Sequence, residues 1–152
     1  MIENRVGNLL EQPDLTHIAH QCNLYHNFGA GIALEIKKKF PRAYAADLTS
    51  QYGTKGKLST WTISRGSPTI FNLYTQIGIS QVDRQTSYDA MATTFAALRW
   101  FLEEEHKVVP VKLGLPYKIG CGLANGNWEV VEALLKEAFA NSSYPLIICR
   151  LG

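Results

Sequence analysis

Apolar and polar positions recur along this chain with periods that change from segment to segment. Residues 2–6 read as a short strand closed by Gly7-Asn8, with Leu9-Leu10 behind it. Pro13-Asp14 marks a turn, and residues 16–22 form a second strand. Past Gly29-Ala30-Gly31 the spacing becomes helical: Ile32, Ala33, Ile36 and Phe40 share one face. Lys37, Lys38 and Lys39 fall in the last turn, where cations suit the negative end of the helix dipole, and Pro41 stops the run. A polar helix follows over residues 42–50, then a glycine loop over 53–56. Residues 58–64 and 69–74 are rich in β-formers and flank Arg65-Gly66-Ser67-Pro68, so they are expected to pair as a hairpin.

Residues 75–84 have no period and read as a loop longer than most connections, which makes it a functional candidate. The longest helix spans 86–106. Thr86 with Asp89 resembles a capping box, and Tyr88, Met91, Phe95, Leu98 and Leu102 form the apolar stripe. Glu103, Glu104 and Glu105 oppose the dipole at its end, with no reason visible in the sequence. Residues 108–115 read as an apolar strand, 116–127 as a glycine-rich loop, 128–139 as a helix with Val131, Leu134, Leu135 and Ala138 inward, and 144–151 as the closing strand. Alternating strands and helices with an inserted hairpin specify an α/β fold, a central mixed sheet with helices on both faces.

Composition narrows the class. A chain of 152 residues suits one domain, 1–152, and 46% hydrophobic with 18% charged residues is ordinary for a soluble globular protein. A net charge of +2 is too weak to argue for nucleic acid. Three cysteines without a Cys-x-x-Cys pair indicate neither a disulfide framework nor a zinc ribbon, and fit a reducing, cytoplasmic setting. No stretch approaches the roughly 18 apolar residues of a membrane span. The start, Met1-Ile2-Glu3-Asn4, lacks the regions of a signal peptide.

A strand, a glycine turn and a helix start together make an anion site. The first N–H groups of the helix have no partners, and glycine lets a phosphate approach them. The pattern occurs twice, at Gly29-Ala30-Gly31 and at Ile119-Gly120-Cys121-Gly122-Leu123. Two such loops would cradle a pyrophosphate from opposite sides; alternatively, both are simple tight turns. Leu34 stands where a dinucleotide fingerprint needs its third glycine, and there is no Gly-Lys-Ser/Thr for a triphosphate loop. On a strand His17 and His20 face opposite ways, so no joint metal site is expected. His20 and Cys22 share a face but stand roughly 7 Å apart along it, beyond a direct bond. Cys22, Cys121 and Cys149 are read as inert core thiols, whereas His20 remains a candidate acid–base. Tyr25, Phe28, Tyr74 and Trp128 adjoin the loops and are either core or stacking residues.

With Gly7-Asn8, His20-Gln21-Cys22-Asn23, GAGIA at 29–33, KKKFP at 37–41 and IGCGL at 119–123 in place, the chain resembles a macrodomain over nearly its whole length. It looks most like the single-domain branch with the terminal ADP-ribose protein glycohydrolase and the ADP-ribose 1″-phosphate phosphatases. The resemblance implies a three-layer fold with ADP-ribose across the strand ends, and no cofactor or metal. Asn8 stands where the family meets the adenine amino group with an acidic residue. Gly29, Ala30, Gly31 and Ile32 match the first phosphate loop, and Gly120, Cys121, Gly122 and Leu123 the second. Asn23 matches the asparagine at the distal ribose, and His20 the histidine assigned to catalysis in the phosphatases. The lysine and aspartate of the glycohydrolase branch are replaced by Gln76 and Ala124, and a carboxamide cannot form the amine adduct. The implied function is therefore ADP-ribose 1″-phosphate hydrolysis by a cytoplasmic monomer, with His20 and Asn23 catalytic. The alternatives are a non-catalytic reader of ADP-ribose or ADP-ribosylated macromolecules, and a lysine-independent ADP-ribosyl hydrolase.

Overall fold

The computed structural model describes residues 1–80 and 82–152. In chain order its elements are β1 (Ile2–Val6), β2 (His17–Cys22), α1 (Gly31–Lys39), α2 (Pro41–Leu48), β3 (Trp61–Ser64) and β4 (Thr69–Tyr74). They continue with α3 (Tyr88–His106), β5 (Leu113–Pro116), α4 (Trp128–Phe139) and β6 (Leu146–Arg150). The strands form one sheet in the order β1-β6-β5-β2-β4-β3, parallel throughout except for the β3–β4 hairpin at one edge.

Side chains alternate across the strands, and each face meets its own helices. Ile18, Ile70 and Ile147 pack with Ile36 of α1 and Ala43 of α2. Ala19, Phe71, Leu113, Leu146 and Ile148 pack with Met91, Phe95 and Leu98 of α3 and Val131 and Leu135 of α4. Three layers result. Both faces of the sheet are covered, so β4 and most of β2 and β6 are buried along their whole length.

Several boundaries differ from the sequence reading for local reasons. Residues 108–112 do not extend β5: Val108 and Val109 are exposed, and their N–H groups bond the Glu105 carbonyl as a tail of α3. The cap of α3 is Ser87, whose hydroxyl oxygen accepts from the Ala90 N–H at 3.1 Å, and Thr86 instead donates to the Gly120 carbonyl at 2.6 Å. The three glutamates at the end of α3 also acquire a reason. Glu103 accepts from the Ser143 N–H, Glu104 pairs with Lys107, and Glu105 bridges Arg65 and the buried His17. The tertiary partners of Glu103 and Glu105 outweigh the few tenths of a kcal/mol that a dipole mismatch costs.

Parallel strands place their carboxyl ends on one edge. There the segments leaving β2, β4 and β5 meet, which gathers residues 23–30, 75–87 and 117–127. The long segment after β4 is tied down on both sides. Ile77 donates to the Gln85 carbonyl at 2.9 Å, Gln85 donates to the Ala124 carbonyl at 2.9 Å, and Leu24 donates to the Ile77 carbonyl at 3.2 Å. Of the expected loop over residues 75–84, Gln81 lies outside the described residues.

Candidate functional site

A cleft of about 540 Å³ opens at this edge. Gly29, Ala30, Gly31 and Ile32 line one side, and Gly120, Gly122, Leu123 and Ala124 line the other, so both glycine segments face a single space. Gln21, Cys22, Asn23 and Gln76 contribute to its floor and far end.

The first wall is the bare N-terminus of α1. Its N-cap is Ala30, in extended conformation with no side-chain cap, so the first-turn N–H groups have no partner within the helix. Gly31 enters the helix at φ +59, a left-handed value that glycine adopts without strain. The Gly29 N–H is already taken by Asn27 Oδ1 at 2.8 Å, so the anion-facing donors begin one residue later.

The second wall is a clamped loop. Gly120 sits at φ +75, and its carbonyl accepts from the Thr86 hydroxyl at 2.6 Å and the Gly126 N–H at 2.9 Å. Gly122 is the opposite case, since a Cβ there would meet nothing within 4 Å. Cys121 does not line the cleft; its side chain packs toward the α3–α4 core, and burial pushes its thiol up to about 11.

The floor is a carboxamide network. Gln21 Nε2 donates to Gln76 Oε1 at 3.2 Å and to Thr86 Oγ1 at 3.0 Å, while Thr75 donates to Gln21 Oε1 at 2.7 Å. Gln76 Nε2 donates to the Gly78 carbonyl at 2.6 Å. Asn23 lines the cleft, but its amide also holds the following turn. Its Nδ2 donates to the Asn27 carbonyl at 2.9 Å, and its Oδ1 accepts from the Tyr25 N–H at 2.9 Å.

His20 lies beneath this floor, fully buried and outside the cleft lining. Asn72 Nδ2 donates to the Ala43 carbonyl and to Thr62 Oγ1, both at 2.9 Å, so Asn72 Oδ1 faces the ring at 2.7 Å and fixes the proton on Nε2. Burial lowers the imidazole to about 4 despite that hydrogen bond. Cys22 is the residue connecting it to the cleft. Its Sγ stands 3.5 Å from His20 Nε2, which corrects the expectation that residues two apart on a strand stay out of contact: the side chains lean together although their Cα atoms do not. Burial keeps the Cys22 thiol protonated.

A pH dependence follows. A histidine held down to about 4 in the fold and free at 6.5 when unfolded adds stability that is present above pH 6.5 and lost as pH falls toward 4. The loss at pH 4.5 is about 2–3 kcal/mol. Urea melts at pH 7 and 4.5 should show that difference in the wild type and a flatter dependence in His20→Gln; equal slopes for the two proteins would contradict the assignment.

Asn8 lines a second cavity of about 710 Å³, which shares Gly31, Ile32, Pro116 and Tyr117 with the first. The structure thus brings the two glycine segments and Asn23 to one cleft, Asn8 to its extension and His20 behind it. Sequence reasoning did not assign Gln21, Cys22 or Asn27 to the site. The two residues flanking the cleft-facing Gln21–Cys22 pair, His20 and Asn23, were singled out instead because their residue types carry more familiar chemistry. Among the described residues no group of three His, Cys, Asp or Glu side chains stands close enough to hold a metal ion, and no helix is long and apolar enough to cross a membrane.

No family model matches the chain. An uncharacterised 17.5 kDa protein of enterobacteria phage T4 is 32% identical over 125 residues, covering 78% of this chain and 77% of the phage protein. The human ADP-ribose glycohydrolase OARD1 is 26% identical over 147 residues, covering 95% and 88%. Among solved structures, the macrodomain of Mycobacterium tuberculosis DarG superposes with a TM-score of 0.80 at 20% identity, over 98% of this chain and 97% of that one. The chain belongs to one family with the phage T4 protein, and its fold is that of the macrodomains.

Proposed function

We propose that this protein binds ADP-ribose, with the diphosphate between the N-terminus of α1 and the Gly122–Ala124 backbone, and that it hydrolyses ADP-ribose derivatives at the far end of the cleft. One observation carries the reading: two amide-lined walls face a single cleft that continues into an apolar cavity of nucleoside size. The resemblance to OARD1, described as an ADP-ribose glycohydrolase, supports the same ligand.

The reaction proposed is release of phosphate from ADP-ribose 1″-phosphate. Water oxygen bonds to phosphorus, the bond from phosphorus to the C1″ oxygen breaks, and the ribose hydroxyl leaves with a proton. Among the described cleft-lining residues there is no carboxylate and no imidazole. The water's proton therefore passes to a phosphate oxygen of the substrate, while backbone N–H groups stabilise the charge on the transferred oxygens. His20 acts as a positioning residue: it packs against Cys22, and its low proton affinity keeps it neutral at physiological pH. The lack of a carboxylate or imidazole among the described cleft-lining residues favours a second reading, a reader that binds without turnover.

Phosphate release from ADP-ribose 1″-phosphate, and ADP-ribose release from a modified protein, separate these readings. The hydrolase reading expects phosphate release with the same pH dependence in the wild type and in His20→Gln, because an inflection near pH 6 belongs to the substrate's phosphomonoester and His20 does not titrate there. Tight binding with neither product establishes the reader, and an inflection near pH 6.5 that His20→Gln removes returns His20 to acid–base duty. A cytoplasmic setting belongs to this reading, supported by the three free cysteines.

A further inference from the structure

The cleft and the cavity beyond α1 meet at four shared residues, Gly31 and Ile32 from the start of α1 and Pro116 and Tyr117 from the end of β5. With the diphosphate in the cleft and the base in the cavity, covalent order puts the nucleoside ribose at this junction. The Tyr117 ring packs there against Trp128, with the ring centroids 5.0 Å apart. One cation from each space reaches that ring. Lys118 lines the cleft and holds its Nζ 5.7 Å from the centroid; Arg150 lines the cavity and holds its Cζ 5.4 Å from it. Both side chains are exposed, and among the described residues neither forms an ion pair or a side-chain hydrogen bond. Arg5, Arg65 and Arg99, by contrast, each meet a glutamate. Glu35 is the one carboxylate among the described residues lining either space, and it pairs with neither cation. Lys118 also sits at φ +59, a left-handed value that strains a lysine and suits a glycine.

We infer that this junction binds a phosphate carried by the nucleoside ribose, so that the preferred ligand is an ADP-ribose phosphorylated on its adenosine 2′- or 3′-hydroxyl. The inference rests on the diphosphate reading above and adds a third phosphate to it. A bare ribose offers the two charges only hydroxyls. A ribose phosphate is close to dianionic at neutral pH, and its oxygens accept from the guanidinium fork of Arg150 and the ammonium of Lys118 together. The backbone N–H groups of the two walls already serve the diphosphate, which leaves these side chains for the additional group.

Calorimetric titration of the full chain with ADP-ribose and with 2′-phospho-ADP-ribose tests this, and adenosine 3′,5′-bisphosphate against AMP covers the neighbouring hydroxyl. The wild type is expected to bind at least one phosphorylated ligand about tenfold tighter than its unphosphorylated counterpart at low salt. The ratio should shrink as salt is raised, because both cations are exposed. Lys118→Gly combined with Arg150→Gln should bring the ratio to about one. Glycine suits the backbone at 118 and the side chain at 150 is exposed, so the fold is retained and the melting temperature verifies it. Equal affinities within both ligand pairs overturn the inference, as does a preference that survives the double variant. Binding of no ligand, ADP-ribose included, overturns the diphosphate reading on which it rests.

Discussion

Gly126→Ala is expected to cost about 3 kcal/mol of stability and to abolish ligand binding together with it. A Cβ at this position would stand 2.4 Å from the Gly120 carbonyl oxygen and 3.1 Å from its carbon. Both are backbone atoms, so no side chain can swing aside. Relief requires the 120–126 turn to open, which breaks the 2.9 Å bond from the Gly126 N–H and disturbs the acceptor of Thr86. Overpacking of this kind costs about 1–3 kcal/mol, and the lost hydrogen bond about 1 kcal/mol more. For a chain of this size the melting temperature should fall by roughly 6–12 °C. Gly122→Ala is the internal control: its Cβ would meet nothing within 4 Å, so stability should stay within about 0.5 kcal/mol of wild type. Equal melting temperatures for Gly126→Ala and the wild type would mean that the loop is not closed as described.

Ala30→Asp should move stability and binding in opposite directions. Alanine is a poor N-cap, and α1 begins without any side-chain acceptor for its free N–H groups. The extended backbone at Ala30 (φ −151, ψ 163) suits a capping aspartate. Its carboxylate should therefore stabilise the protein by about 1 kcal/mol. The same carboxylate would occupy the donors proposed for the diphosphate and set a negative charge beside it. Two like charges about 4 Å apart repel by roughly 4 kcal/mol at an effective dielectric of 20. Loss of affinity for ADP-ribose should reach at least about 100-fold, with an unchanged or raised melting temperature. An affinity within threefold of wild type would remove the helix terminus from the binding site.

The absence of a cap is thus itself informative. Nearly every other helix start is satisfied locally: α3 by Ser87, α4 by Asn127 and the first 3-10 turn by Asn8, while α2 opens with Pro41, whose missing N–H needs no acceptor. The terminus of α1 is left open where it faces the cleft.

Much of the architecture was legible because its physics is local. The bounds of β1, β4 and α4 follow from alternation, from turn residues and from helical spacing that tertiary packing does not override. The end of β5 was not legible, because Val108 and Val109 carry strand-like side chains yet serve as the tail of α3. At the site, the two glycine segments could be placed by their sequence context. What each amide does with its two ends could not, since it depends on partners far along the chain. Asn8 accepts from the Leu10 N–H, Asn23 holds the turn to Asn27, and His20 is set by Asn72, fifty-two residues away. Residue type suggested chemistry for all three, and the hydrogen bonds decide how much of it faces a ligand.

The most direct measurement is a calorimetric titration of the wild-type protein with ADP-ribose beside AMP. If the two amide-lined walls grip a diphosphate together, ADP-ribose binds one-to-one and at least about tenfold tighter than AMP, which has a single phosphate to share between them. Equal affinities, or no heat with ADP-ribose, would contradict the account.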